Sequence, residues 1–177
     1  MVLFMAEFNA NLWAPWRMEY IRSLDEGRQD GECFLCAYAS DPGQDAANHV
    51  VWRGESALVV MNRFPYTNGH LMVAPLRHVG DPAELLPAEM LEMTTLVYQG
   101  VALLRRALRA EGFNIGANLG RCAGAGLPDH LHHHIVGRWS ADTNYMAVLG
   151  GVRVIPDGLD ATYADLVSAA KEMGLRK

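Results

Sequence analysis

The chain has 177 residues, half of them hydrophobic, with 15 Lys+Arg against 20 Asp+Glu for a formal net charge of -5. That length fits one domain with a sizeable core and terminal extensions, and no apolar run is long enough to cross a bilayer. An acidic balance without a basic stripe disfavours nucleic acid as the main partner, yet a small phosphorylated ligand can still be held by backbone amides and a few local cations.

The opening Met1-Val2-Leu3-Phe4-Met5-Ala6-Glu7-Phe8 lacks the basic segment of a secretion signal, so a cytoplasmic protein is expected. Trp13, Trp16 and Tyr20 mark an N-terminal arm or short helix whose aromatics favour packing over base stacking. Asp25 to Gly31 reads as a linker and Ala39 to Asn48 as a loop. Three cysteines in a reducing compartment make a disulfide framework a poor reading. Cys33 and Cys36 instead have the spacing of a zinc knuckle, and histidines downstream can complete a tetrahedral set. Two buried free thiols are the alternative.

Val50-Val51-Trp52, Ala57 to Met61 and His70 to Ala74 read as strands, with a Pro- and Asn-Gly-bearing turn between the last two. This is an antiparallel opening. Pro87 to Glu111 is the one long helix, with Met90, Leu91, Met93, Thr94, Val97, Val101, Leu104 and Leu108 near helical spacing, its methionines filling the core and Gly112 stopping it. Phe113 to Leu119 follows as a strand. Gly120 to Asp129 is a loop of small residues whose amides can converge on an anion, although neither the dinucleotide fingerprint nor the P-loop is present.

That loop delivers the chain into His130-Leu131-His132-His133-His134-Ile135-Val136. As an extended strand it would put His130, His132 and His134 on one face. Imidazoles serve near neutral pH as nucleophiles, proton carriers or metal ligands, and three on one face are costly to explain as packing. Val152 to Pro156 reads as a further strand and Thr162 to Met173 as a closing helix. The expected architecture is α+β, an antiparallel sheet of about five strands with a long helix and terminal extensions.

These residues resemble the histidine triad superfamily of nucleotidyl hydrolases and transferases. The pattern His-φ-His-φ-His-φ-φ, with φ apolar, is met except at His133, and the likeness extends upstream through Val60 to Pro65 and Gly69 to His78. It implies one domain over 1–177, with a core of about 33–139, an N-terminal arm over 1–32 and a C-terminal extension over 140–177. Leu12 to Ile21 and Arg138 to Met146 look like the bacterial branch of diadenosine tetraphosphate phosphorylases.

The resemblance implies a role for each matching residue. His132 is the nucleophile that carries a covalent nucleotidyl intermediate, and His134 bridges phosphate oxygens or moves the leaving-group proton. His130 completes the triad, its carbonyl accepting the other ring proton of His132, and His70 supports the triad or is a satisfied core histidine. Asn62 contacts ribose. Asn118, Gly120, Gly124, Gly126 and Leu127 line the phosphate loop, where Gly126-Leu127-Pro128-Asp129 departs from the family's polar residue and leaves main-chain amides as stabilisers. Cys33, Cys36, His78 and His130 match four structural zinc ligands. Mg²⁺ would arrive with the polyphosphate.

The implied reaction is phosphorolysis of diadenosine tetraphosphate to ADP and ATP, with inorganic phosphate as co-substrate, in a homodimer or larger homo-oligomer with no nucleic-acid or membrane partner. Water as acceptor would make the chain a hydrolase, and an amide-bearing nucleotide would make it a phosphoramidase. A non-enzymatic, zinc-stabilised nucleotide-binding module is the alternative from another class. Arg121, Arg138 and Arg153 are candidate cations without a placed role.

Overall fold

The computed structural model describes residues 33–140, 142 and 155–176. The N-terminal arm with Trp13 and Trp16, the linker, Arg153 and residues 143–146 lie outside the described residues, as does most of the strand expected at 152–156.

Short apolar runs make β1 (Val50–Arg53), β2 (Ala57–Met61) and β3 (Leu71–Pro75), and β4 (Gly112–Ala117) and β5 (His133–Arg138) complete one sheet of order β1-β2-β3-β5-β4. Every neighbouring pair is antiparallel. β2 and β3 are buried along their whole length, because each face of the sheet carries its own core, and strands covered on both sides read as continuous apolar runs. On one face Leu71, Val73 and Ile135 pack with Met93, Leu103, Leu104 and Leu166. On the other, Leu58, Val60, Met72 and Ala74 pack with Leu35, Tyr38 and Leu127. Each such fully buried leucine stabilises the fold by roughly 1.5–3 kcal/mol.

Helix α1 (Phe34–Ser40) covers the second face, and α2 (Pro87–Leu108) and α3 (Leu159–Glu172) belong to the first. Pro87 opens α2, where its missing N–H costs nothing, and the Glu89 carboxylate accepts the Leu86 N–H at 2.8 Å. Gly100 lets the helix lie close to the sheet, since a Cβ there would meet Ile135 Cδ1 at 2.6 Å. The core seam runs through Met93, Leu96, Val97, Gly100, Val101 and Leu104. Met90 and Leu91, expected in the core, are instead 48% and 70% exposed; Leu91 is two residues, about 200° of turn, from Met93 and so faces outward.

The helix ends three residues before the predicted limit. Arg109 adopts the left-handed conformation (φ 53°), Trp139 Nε1–H donates to the Leu108 carbonyl at 3.0 Å, and Gly112 begins β4 instead of stopping α2. Helix α3 starts at Leu159, ahead of the predicted Thr162. It is held to β1 by Tyr163 Oη, 3.1 Å from the Val50 carbonyl, and Arg176 just beyond the helix donates to the Val51 carbonyl at 2.7 Å. Among the described residues no helix is long and apolar enough to cross a membrane.

Candidate functional site

The strand carrying the histidines begins at His133, three residues later than the alternation argument requires. Residues 130–132 are drawn out of the ladder by other partners: Leu131 N–H donates to the Val79 carbonyl at 2.7 Å, and the ring of His130 is engaged on both sides. His132 and His134 still meet, with ring centroids 4.9 Å apart in an edge-on arrangement. His133 falls on the opposite face, in register with Val73 and Ala117, and burial lowers its basicity.

Proton positions follow from the partners. His130 Nε2 faces the Pro75 carbonyl at 2.9 Å, and a carbonyl can only accept, so Nε2 carries the proton and Nδ1 presents its lone pair. That lone pair lies 3.1 Å from Cys33 Sγ and 3.5 Å from Cys36 Sγ. His132 Nδ1 stands 2.9 Å from the carbonyl oxygen of His130. By the same reasoning Nδ1–H donates and Nε2 is left bare. Burial lowers the pKa of His132 and keeps this form neutral, against the raising effect of the His130 carbonyl.

A second chain of bonds fixes His134. The Tyr66 amide donates to His70 Nδ1 at 3.2 Å, Asn62 Nδ2 lies 3.3 Å from the same nitrogen, and His70 Nε2 is 3.0 Å from His134 Nδ1. His70 Nδ1 is therefore an acceptor and its Nε2–H a donor. When His134 is neutral its proton sits on Nε2. His70 is fully buried; desolvation, with the neighbouring His134 and His132, pushes its pKa down to about 3. Tyr66 stacks on His70 with centroids 4.7 Å apart.

The Cys/His corner assembles from three segments. Cys33 caps α1 and Cys36 lies in its first turn, a spacing that turns both thiols to one side. His78 leaves β3 with Nδ1 3.2 Å from Cys36 Sγ. One ligand atom each from Cys33, Cys36, His78 and His130 falls within 4.8 Å of all the others. Burial and the adjacent Cys33 push the Cys36 thiol up to about 11. Two sulfurs, a proton-free His130 Nδ1 and the exposed His78 fit a four-coordinate cation. The bond from His130 to Pro75 is the kind of outer support that orients a ligating imidazole.

Other predicted residues are placed less centrally. Asn62 is committed at both ends of its amide, its Oδ1 accepting from Phe64 N–H at 2.9 Å. Gly120 and Gly124 have φ of 79° and 84°, bracketing the turn Arg121–Ala123; Asn118 and Gly126 are half-buried and Leu127 is buried. Arg138 is not a spare cation, since it pairs with Asp142 and donates to Asn114 Oδ1 at 3.0 Å. Arg121 is exposed. Sequence reasoning missed the Pro75 and Val79 carbonyls and the Tyr66 amide. It also missed Arg77, whose two bonds to Glu89 at 3.1 and 2.8 Å fix the residue next to His78.

The HIT domain family matches residues 44–141. The chain belongs to the HIT superfamily. Within it, the chain is 35% identical over 160 residues to the AP-4-A phosphorylase of Mycobacterium tuberculosis, covering 85% of this chain and 79% of the relative, which supports the phosphorylase-like branch. A zinc-bound histidine triad family protein from Mycobacterium smegmatis aligns with a TM-score of 0.66 at 26% identity, over 81% of this chain and 96% of the other. A histidine triad nucleotide-binding protein from Sulfolobus tokodaii shares the fold, with a TM-score of 0.64 at 20% identity over 80% and 93% of the two chains. The range matched to the HIT domain thus includes all five strands together with His70, His78, His130, His132 and His134, while Cys33 and Cys36 precede it.

Proposed function

We propose that this HIT protein is a nucleotidyl transferase that cleaves diadenosine tetraphosphate by phosphorolysis. The observation that carries the reading is the pairing of two differently prepared imidazoles: His132 with Nδ1–H spent on the His130 carbonyl and Nε2 bare, beside His134 with Nδ1 engaged by His70. His132 Nε2 attacks the α-phosphorus, forming an N–P bond as the P–O bond to the ATP leaving group breaks. His134 Nε2–H bridges to the departing oxygen and supplies its proton. Inorganic phosphate then attacks the adenylyl group, releasing ADP and restoring His132. Splitting one displacement into two is what a covalent histidine offers. The amides of the Gly120–Leu127 loop, with Asn118, are assigned to the phosphates and Asn62 to the ribose.

Cys33, Cys36, His78 and His130 would hold zinc. With four protein ligands such an ion serves as a structural cross-link. Mg²⁺ is expected only as a companion of the polyphosphate. We take the chain as one domain whose core is about 33–139, and we assign the outer edge of β4, which among the described residues pairs only with β5, to the expected homodimer.

The test is product analysis on diadenosine tetraphosphate with and without inorganic phosphate. ADP plus ATP, dependent on phosphate, supports phosphorolysis. AMP plus ATP regardless of phosphate assigns the hydrolase reading, and preferential cleavage of an adenosine phosphoramidate assigns the phosphoramidase one. Tight nucleotide binding without turnover, unaffected by His132→Asn, would make the chain a binding module.

A further inference from the structure

The turn after β3 meets the segment leading to the histidines backbone against backbone, and one residue makes that possible. A Cβ on Gly80 would stand 2.9 Å from the Pro128 carbonyl oxygen, 3.0 Å from Asp129 Cα and 3.1 Å from Asp129 C. All three are main-chain atoms, so no side chain can swing aside. Immediately next to this contact, Leu131 N–H donates to the carbonyl of Val79 at 2.7 Å, and Val79 is itself buried. His130 lies between the two fastenings. Its carbonyl is the acceptor for His132 Nδ1–H.

We propose that Gly80 is a positioning residue for His132: lacking a side chain, it lets Pro128–His130 seat against the 79–80 backbone, and that seat sets where the His130 carbonyl oxygen stands. The proposal rests on the reading of His132 as the nucleophile. A methyl group at position 80 must push Asp129 away, and the displacement passes through His130 into the planar peptide that joins it to Leu131, which tilts about the hydrogen bond from its Leu131 N–H to Val79. The oxygen that this peptide carries is the one that chooses which nitrogen of His132 keeps the proton. Misplacing a reacting group by about an ångström costs on the order of 100-fold in rate, so a backbone shift of this size is large for catalysis and small for the fold.

The experiment uses the full chain, supplied with zinc, as wild type, Gly80→Ala and a control, Gly158→Ala, where a Cβ meets nothing within 4 Å. Single-turnover adenylylation by diadenosine tetraphosphate is followed by rapid quench, and the imidazole ¹⁵N resonances of His132 report its tautomer. Gly80→Ala is expected to lose roughly 100-fold in the adenylylation rate, with KM near the wild-type value and a mixed-tautomer pattern at His132. Far-UV circular dichroism should be retained and Gly158→Ala should behave as wild type. A wild-type rate and tautomer in folded Gly80→Ala would overturn the proposal. If Gly80→Ala does not fold, Gly80→Ala/Pro128→Gly gives the loop room to yield while keeping the methyl; the same loss is expected, and wild-type turnover overturns the proposal there too. Adenylyl-His132 in the wild type, detected by mass spectrometry, separates the two ideas: its absence sinks the nucleophile reading and this proposal with it, whereas its presence with an unimpaired Gly80→Ala sinks this proposal alone.

Discussion

His130 and His132 are two residues apart, yet their rings belong to different corners of the site. In the Cys/His corner the second nitrogen of His130 is spent on the Pro75 carbonyl, which turns a lone pair toward two sulfurs. In the triad corner the second nitrogen of His132 is spent on the His130 carbonyl, which leaves a lone pair beside His134. The same chemical device, a main-chain oxygen, fixes the tautomer both of the ring we assign to a cation and of the ring we propose for attack on phosphorus. The residue type sets what an imidazole can do, and the partner of its other nitrogen decides which of those things it does.

Loss of the bare nitrogen at 132 should separate the corners most sharply. His132→Asn is expected to lower kcat by about four to six orders of magnitude, as for removal of a catalytic nucleophile, while bound zinc, measured by atomic absorption, stays at the wild-type stoichiometry. Retained turnover would show that the two corners were assigned wrongly. Cys36→Ser attacks the other corner: zinc affinity in a chelator competition should fall about 100-fold or more, and kcat should fall less than in His132→Asn. Equal losses would mean that the corners act as one.

Replacing His70 removes the donor that holds His134. His70→Gln is expected to cost about 100-fold in kcat with little change in KM, and the pH–rate profile should move, because the tautomer of His134 is no longer fixed. Acid should act on both corners together. Burial holds His70 at about 3 and lowers His130 and His132 below the ordinary value of 6.5, so between those limits the unfolded chain binds protons that the folded chain refuses. Stability is therefore complete above about pH 6.5 and declines as pH falls below it. Urea midpoints between pH 7.5 and 4.5 test this, and a flat profile would show that these rings are not buried neutral.

The sheet was largely legible because apolar runs bounded by turn residues leave little choice: β2 spans Ala57–Met61 as read, and β3 and β4 are displaced by one residue at their starts. The end of α2 was not legible, because Arg109 takes a left-handed conformation that its residue type does not favour, with its N–H on the Leu104 carbonyl and the distant Trp139 indole on the Leu108 carbonyl. Met90 and Leu91 misled for a related reason, since apolar character says nothing about which side of a helix meets a sheet. At the site, the histidines and the Cys33/Cys36 pair announce themselves by type and spacing. Their orienting partners do not: the carbonyls of Pro75, Val79 and His130 and the amide of Tyr66 belong to the backbone, and every residue carries those atoms.

The anonymity of those atoms has a consequence at His130. Replacing its side chain would take away a ring from the sulfurs and from Pro75, but the oxygen that faces His132 would still be present at that position, because no codon change can delete a peptide carbonyl. The two services rendered at position 130 can thus be lost one at a time: a chain without that ring would still offer His132 the same acceptor.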